Sequence, residues 1–236
     1  MSNSLDRGRI GPLQSVLTQA SGLFDHRVTV AAADCTIDLT GELFPVEHSV
    51  IRGAVRHRQA EFAAGRVAAR QAMGRKEAIP MGSDRAPVWP EGVRGTITHS
   101  EGIALAATTQ DAALLALDLE PDAALADELW DTVLLPCERQ RIEAQADPGR
   151  MARVIFSAKE CAYKAQYPLT RQIFGFDVFD VTLGEGRFSA RFQINIGPFS
   201  TGDVLEGRFS RGGGFIITGI LAEPPRGGIP GPAPRR

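Results

Sequence analysis

Two lysines flank a glutamate in the segment FSAKECAYKA, residues 156–165. The chain has 26 basic residues, yet only three are lysines, and Lys159 and Lys164 both fall within this segment. A lysine ammonium is a compact charge that can meet a single phosphate oxygen, which a planar guanidinium does less readily. If the segment is helical, Glu160 and Lys164 lie one turn apart on the same face. The use of lysine favours a chemical role over a surface ion pair, the other interpretation of this spacing.

A second group of charges lies in LALDLEP, residues 115–121. Alternate side chains of a strand share a face, so Asp118 and Glu120 point the same way. Paired carboxylates repel each other unless a cation lies between them, and Mg²⁺ prefers oxygen ligands. Glu160 would supply a third carboxylate. The alternative is that these two acids lie on the solvated face of an edge strand and have no chemical role.

A histidine and two arginines complete the set of candidate residues. His99 follows a Gly-Thr-Ile-Thr run at the end of a predicted strand, where its ring can bind a phosphate or serve a structural role. Arg58, Phe62 and Arg66 recur at four-residue steps and form one stripe of a predicted helix. Such a stripe can bind a phosphate bidentately, or it can be an ordinary solvated face.

The composition is that of a globular protein and excludes some classes of function. Hydrophobic residues make up 43% of the chain and charged residues 23%, and the net charge of -2 excludes a globally basic nucleic-acid binder. The polar start MSNSLDRGRI, with no apolar run of membrane length after it, predicts a cytoplasmic protein with no membrane partner. Three widely separated cysteines argue against a disulfide framework or a cysteine metal site.

The order of predicted elements indicates an α+β fold with a mostly antiparallel sheet in each half. Residues 1–25 look loosely structured, and residues 45–73 predict a helix or a helix pair. Later helical segments have breaks at Pro136 and Pro148. Strand-like runs bounded by turn residues lie at 28–38, 96–109, 112–121 and 174–221. We detect no internal repeat, and a weak boundary falls near residues 110–116.

Four segments, in this order, resemble the 4'-phosphopantetheinyl transferase superfamily, of the type of Sfp and enterobactin synthase component D. They are RQAEFAAGRVAAR, DRAPVWPEGVRGTITHS, LALDLEP and FSAKECAYKAQYPLT. An ordered set of motifs is far more specific than any single match. The aspartate-x-glutamate pair followed by a Lys-Glu-x-x-x-Lys helix is the hallmark of this family.

The resemblance implies a role for each candidate residue. It assigns Asp118, Glu120 and Glu160 to Mg²⁺, with Glu160 also the base. It places Lys159 and Lys164 on the phosphates of coenzyme A (CoA), with Lys164 also catalytic. The residues that it places around the CoA molecule, chiefly at its 3'-phosphate end, are Arg58, Arg66, Arg85 and His99. Ala116 and Met81 depart from the family pattern, which usually has a glycine and sometimes a basic residue at these positions.

The resemblance also implies a fold and an activity. The fold would be two similar α+β halves, a pseudo-dimer of residues 1–113 and 114–223 with the active site between them, followed by a disordered tail at 224–236. Such an enzyme transfers phosphopantetheine from CoA to a serine of an apo carrier protein and releases adenosine 3',5'-bisphosphate. It would act as a monomer, without nucleic acid, in siderophore, nonribosomal peptide, polyketide or fatty-acid synthesis.

Two other functions fit parts of the pattern. A Mg²⁺-dependent nuclease could use Asp118 and Glu120, but the common acidic type has a lysine two residues after the second acid, where this chain has Asp122. A binding module for CoA or a carrier protein could keep the fold without catalysis. The complete set of acidic residues, together with Lys164, argues against that loss.

Overall fold

The chain folds into helices packed on two antiparallel sheets. A computed structural model describes residues 5–111 and 114–223, and in these ranges it contains six α-helices and eight β-strands. The helices are α1 (Leu5–Ser21), α2 (Pro45–Ile51), α3 (Arg56–Met73), α4 (Trp130–Val133), α5 (Pro136–Glu143) and α6 (Pro148–Thr170). The strands are β1 (Thr29–Asp34), β2 (Arg94–Ser100), β3 (Ile103–Thr109), β4 (Leu114–Pro121), β5 (Phe179–Leu183), β6 (Arg187–Phe192), β7 (Val204–Gly212) and β8 (Phe215–Ala222).

The two sheets have three and five strands. Their strand orders are β1-β3-β2 and β4-β8-β7-β6-β5, and every pairing is antiparallel. Helix α3 packs on the first sheet through small residues such as Ala64 and Ala68, and α6 packs on the second through Ala158 and Ala162. These sheets confirm the α+β prediction and the predicted meander in the last part of the chain.

The edge strands of the two sheets, β2 and β4, lie side by side. The backbone N–H of Leu117 donates to Thr96 Oγ1 at 3.4 Å, and Thr98 Oγ1 donates to Asp118 at 3.2 Å. Hydroxyl groups of Thr96 and Thr98 thus make hydrogen bonds across this junction, in place of the backbone hydrogen bonds that join strands within a sheet. This junction determines which side chains of β2 face those of β4.

Residues 5–21 are helical, which contradicts the prediction of a loosely structured start for this part of the chain, while residues 1–4 lie outside the described residues. Helix α1 contains Gly11 and Pro12, and both residue types disfavour a helix interior. Tertiary packing outweighs this preference, because Val16 and Ala20 are fully buried against the two sheets. Their cluster includes Leu105 of β3 and residues of β4 and β8.

A short motif occurs once before each main helix, although the sequence analysis found no repeat. Residues 43–51 and 134–142 share the pattern Leu-x-Pro-x-Glu-x-x-x-Ile. In both copies the proline starts a helix, and the glutamate accepts from the backbone N–H three residues earlier, as in a capping box. Both glutamates, Glu47 and Glu138, are fully buried. This local repeat is consistent with two similar halves, which stay a prediction for the whole fold.

Some predictions lie outside the described residues. These are the disordered tail at 224–236 and the first two residues of the run at 112–121. Within the described ranges, no helix is long and apolar enough to cross a membrane.

We expect Gly207→Ala to destabilise the second sheet. Gly207 pairs with Phe188 across β6 and β7, and a Cβ at this position would overlap the phenylalanine ring. Overpacking of this kind costs about 1 to 3 kcal/mol, to be measured by urea unfolding. The control is Gly53→Ala, where a Cβ meets no atom within 4 Å. Equal free energies of unfolding for the two variants would contradict the tight packing at Gly207.

Candidate active site

Asp118 lies where β4, β2 and α6 meet. Strand β4 buries Leu117 and Leu119 in the cluster around α1 and turns Ala116 and Asp118 toward α6, as the alternation predicts. Asp118 is only 4% exposed, so it is not an acid on a solvated edge. A buried carboxylate needs hydrogen-bond donors or cations, and Asp118 has both.

Lys164 is the cation that contacts Asp118. Its Nζ lies 2.5 Å from Asp118 Oδ1, and Nζ also approaches Thr98 Oγ1 and the carbonyl oxygen of Leu117, both at 3.4 Å. Burial opposes the charge of Lys164, but the Asp118 carboxylate outweighs burial and the pKa of Lys164 is raised. The lysine is therefore held charged beside β4, and its ion pair is with Asp118 of another element instead of its helix neighbour Glu160.

Glu120 pairs with an arginine that the sequence analysis did not identify. Arg153 Nη1 donates to Glu120 Oε2 at 3.1 Å, and both side chains are mostly buried. Burial, followed by repulsion from Asp118, raises the pKa of Glu120 to about 7, and Arg153 opposes this rise. The second carboxylate of the predicted pair thus lies close enough to Asp118 to be influenced by its charge.

Glu160 completes the acidic group from the α6 side. Burial raises the pKa of Glu160, attraction to Lys164 lowers it, and repulsion from Asp118 adds to the rise. Among residues 5–111 and 114–223, no three histidine, cysteine or acidic side chains are close enough to form a ready metal cluster. The three side chains nevertheless suit a hard cation, because all three are carboxylates. They also lie close to one another, since the charge of Asp118 contributes to the raised pKa of Glu120 and of Glu160.

Lys159 is fully buried and makes three short hydrogen bonds, whereas Lys164 is 27% exposed and two of its three contacts are 3.4 Å long. Its side chain is 1% exposed, and its ammonium donates to Glu138 Oε2 at 2.7 Å and to the carbonyl oxygens of Val133 at 2.8 Å and Phe176 at 3.0 Å. An ammonium has three N–H donors, so Lys159 has none left for a phosphate oxygen. The position of Lys159 therefore conflicts with the expectation that this lysine contacts CoA phosphates.

His99 and Arg58 lie together at the end of β2. Arg58 Nη1 donates to His99 Nε2 at 2.8 Å, which places the proton of a neutral ring on Nδ1, 3.5 Å from Glu61. Burial lowers the pKa of His99, with Glu61 opposing and Arg58 and Lys164 adding to the effect. Since Arg58 is more than half exposed, this pair is accessible to an anion next to the acidic group.

The other two predicted arginines differ from Arg58. Arg66 is 5% exposed; its Nε donates to the carbonyl oxygen of Ile79 at 2.8 Å, and its guanidinium lies 4.2 Å from the centre of the Phe62 ring. Burial lowers the pKa of Arg66 to about 10. Arg85 is exposed at a loop tip with a left-handed φ of 67°, beside Asp84, which binds the end of α6. The phosphate roles of both arginines stay predictions.

The structure also identifies polar residues that the sequence analysis missed. Ser157 donates to Asp118 Oδ2 at 2.8 Å, Thr98 donates to Oδ1, and Thr218 of β8 lies 2.9 Å from Ser157 Oγ. Ser157 is seven residues before Lys164, the spacing of one helix face, so this serine was identifiable from the sequence. Thr218 was not, because only the pairing of β4 with β8 brings it near Asp118.

The acidic group, the lysine beside it and the anion-accessible arginine define a site suited to a phosphate-bearing substrate. Two family models match the chain, and the ranges that they match contain the residues of this site. The 4'-phosphopantetheinyl transferase N-terminal domain matches residues 46–109, and the 4'-phosphopantetheinyl transferase superfamily matches residues 115–207.

Individual relatives give the same result. The chain is 38% identical over 211 residues to the 4'-phosphopantetheinyl transferase Svp of Streptomyces mobaraensis, which covers 84% of this chain and 85% of Svp. It is 32% identical over 197 residues to Npt of Nocardia iowensis, a match that covers 75% of this chain and 87% of Npt. It is 36% identical over 122 residues to enterobactin synthase component D of Salmonella typhimurium, a match that covers 50% of this chain and 52% of that relative. The chain belongs to the 4'-phosphopantetheinyl transferase superfamily and is a transferase.

We expect Lys159→Ala to reduce stability strongly. The change leaves the fully buried Glu138 without its cation, and removing one partner of a buried ion pair costs about 3 to 5 kcal/mol. Urea unfolding of the purified variant measures this loss. Lys76→Ala, at an exposed position, is the matched control and should change the free energy of unfolding by less than about 0.5 kcal/mol. If the Lys159→Ala protein were as stable as the control, the prediction would be wrong, and the ion pair with Glu138 would not be needed for stability.

Proposed function

We propose that this enzyme transfers the phosphopantetheine group of CoA to a serine hydroxyl of an apo carrier protein, with Mg²⁺, and releases adenosine 3',5'-bisphosphate. One observation carries the proposal: Asp118 is held by Lys164 across the junction of β4 and α6, with Glu120 and Glu160 close enough to be influenced by its charge. One lysine and two further carboxylates are thus concentrated around Asp118, which supports chemistry on a pyrophosphate at this position.

Glu160 suits the role of base. The serine oxygen forms a bond to the β-phosphorus of CoA, the bond from that phosphorus to the bridging oxygen breaks, and the serine proton has to be accepted. Burial raises the pKa of Glu160 toward the working range of a general base. Lys164, whose pKa is raised, lies one turn further along the same helix face and offsets charge on the departing bisphosphate.

Asp118, Glu120 and Glu160 are the residues that would hold Mg²⁺. The ion would neutralise phosphate oxygens during transfer. Basic residues also balance two of these carboxylates: Lys164 contacts Asp118, and Arg153 contacts Glu120.

Arg58 and His99 suit the 3'-phosphate end of CoA. Arg58 is the exposed member of the predicted arginine stripe, and it already contacts His99 beside the acidic group. A phosphate could accept hydrogen bonds from the guanidinium without any change in the core. Arg66 is held inside by Ile79 and Phe62, so its effect on binding would be less direct.

The carrier protein is proposed from the family and from the names of relatives. One relative is a component of enterobactin synthase, which supports a role in siderophore-type peptide synthesis. Carriers of polyketide or fatty-acid synthesis are the other candidates. We propose that the enzyme acts as a monomer on such carriers, with the active site between its two halves.

Intact-mass spectrometry of an apo carrier protein, incubated with enzyme, CoA and Mg²⁺, tests the proposal. We expect the mass of one phosphopantetheine group to appear with the wild-type enzyme. Asp118→Asn should lose transfer at least a hundredfold while staying folded, because the amide keeps the shape of the side chain but loses its charge. Near-normal transfer by Asp118→Asn would remove Asp118 from the mechanism, and no mass gain with any carrier class would overturn the activity.

We expect Arg58→Ala to weaken binding of CoA but not of dephospho-CoA. Loss of one hydrogen bond to a charged group costs about 1.5 to 3 kcal/mol, which corresponds to roughly a ten- to hundredfold rise in the Kd. Isothermal titration calorimetry with both ligands measures this difference. Arg75→Ala, just beyond the other end of α3, serves as control. Equal losses for both ligands would place Arg58 away from the 3'-phosphate.

A further inference from the structure

Helix α6 contacts both oxygens of the Asp118 carboxylate. Lys164 Nζ lies 2.5 Å from Oδ1, and Ser157 Oγ donates to Oδ2 at 2.8 Å. These residues are two helical turns apart, so one helix face contacts the carboxylate from two sides. Thr98 of β2 also donates to Oδ1, so among the described residues Ser157 is the contact that holds Oδ2, and it can be removed separately from the contacts to Oδ1.

A second hydroxyl lies behind Ser157. Thr218 is fully buried in β8, where it is the cross-strand partner of Asp118. Its Oγ1 lies 2.9 Å from Ser157 Oγ and 3.1 Å from the carbonyl oxygen of Ser157. A serine hydroxyl has one proton, and Ser157 donates it to Asp118. Thr218 donates its own single proton to the carbonyl oxygen of Ser157, so it holds the backbone of Ser157 in place while Ser157 Oγ contacts Asp118.

Packing alone does not require a hydroxyl at residue 157. Ser157 is fully buried in a helix whose neighbouring buried residues are Ala158, Cys161 and Ala162, and an alanine fills nearly the same space. Burying a hydroxyl costs free energy unless it is hydrogen-bonded, and the hydrogen bond that the Ser157 hydroxyl donates goes to the Asp118 carboxylate. Such a contact restricts rotation of Asp118, since Lys164 alone contacts only one oxygen.

We propose that Ser157 is a positioning residue for phosphopantetheinyl transfer. Ser157 orients the Asp118 carboxylate, and Thr218 supports Ser157. The inference rests on the proposed function, in which Asp118 is a ligand of the divalent cation. Without the serine hydroxyl, the Asp118 carboxylate could rotate about its terminal bond and would no longer be held in one orientation for binding the cation. Loss of a group that orients a metal ligand lowers metal affinity or activity by about 10- to 100-fold.

The test compares Ser157→Ala and Ser157→Cys with the wild-type enzyme. Mn²⁺ serves as the probe, and its Kd is measured by electron paramagnetic resonance in the absence of CoA. Single-turnover transfer to an apo carrier, the KM for CoA and the Tm are measured in parallel. We expect both variants to bind Mn²⁺ about tenfold more weakly and to slow single turnover by about 10- to 100-fold. The KM for CoA should stay within about threefold, because Ser157 is fully buried and contacts neither Arg58 nor His99, the residues proposed to bind CoA.

Two further variants separate positioning from a general loss of buried hydroxyls. Thr218→Val removes the supporting hydroxyl at nearly constant volume and should weaken Mn²⁺ binding less than Ser157→Ala. Thr96→Val removes a buried hydroxyl of β2 that accepts from the Leu117 N–H but does not contact Asp118. This control should bind Mn²⁺ and transfer phosphopantetheine as the wild type does.

The outcomes distinguish failure of this inference from failure of the proposed function. If Asp118→Asn loses Mn²⁺ binding and transfer while Ser157→Ala and Ser157→Cys keep both, Ser157 is not a positioning residue. If the Ser157 variants lose activity only in proportion to their unfolded fraction, with unchanged Mn²⁺ affinity, the serine is structural and the inference is also overturned. If Asp118→Asn keeps Mn²⁺ binding and transfer, the proposed metal assignment is wrong, and the inference fails with it.

Discussion

The ion pair between Lys164 and Asp118 is the interaction on which the site depends. Asp118 is almost fully buried, and a carboxylate in such a place requires a cation and several donors. Lys164 supplies the charge from α6, while Thr98 and Ser157 supply hydrogen bonds from two other directions. Because these groups come from a strand of each sheet and from α6, the site forms only when both sheets and this helix are assembled.

The sequence was sufficient to predict the features that depend on local periodicity. Alternation along β4 placed Asp118 and Glu120 on one face, and helical spacing placed Glu160 and Lys164 on another. The antiparallel meander of β5 to β8 was also predictable, because strands separated by turn residues leave few other arrangements. The order of four motifs identified the family before any contact was known.

The remaining features depend on contacts between residues distant in sequence. Lys159 and Lys164 look equivalent in the sequence, but only packing shows that Lys159 faces Glu138 and two carbonyl oxygens inside the protein. An ammonium matches those three acceptors, which gives a structural reason for a lysine at this position. Helix α1 was missed because its stability depends on tertiary contacts: Gly11 and Pro12 disfavour a helix interior, whereas burial of its apolar residues stabilises the helix. The proline-glutamate repeat was present in the sequence but too short to stand out.

The cluster under α1 contains residues of both sheets, since Leu105 of β3 and Leu117 of β4 lie in the same group of buried side chains as Val16. Two sheets that share a hydrophobic core do not behave as separate rigid bodies joined by a hinge. Opening the junction of β2 and β4 would expose this core to water. Substrate entry and product release are therefore expected to rely on rotation of surface side chains, such as the exposed Arg58, with the backbone of the site already in its working arrangement.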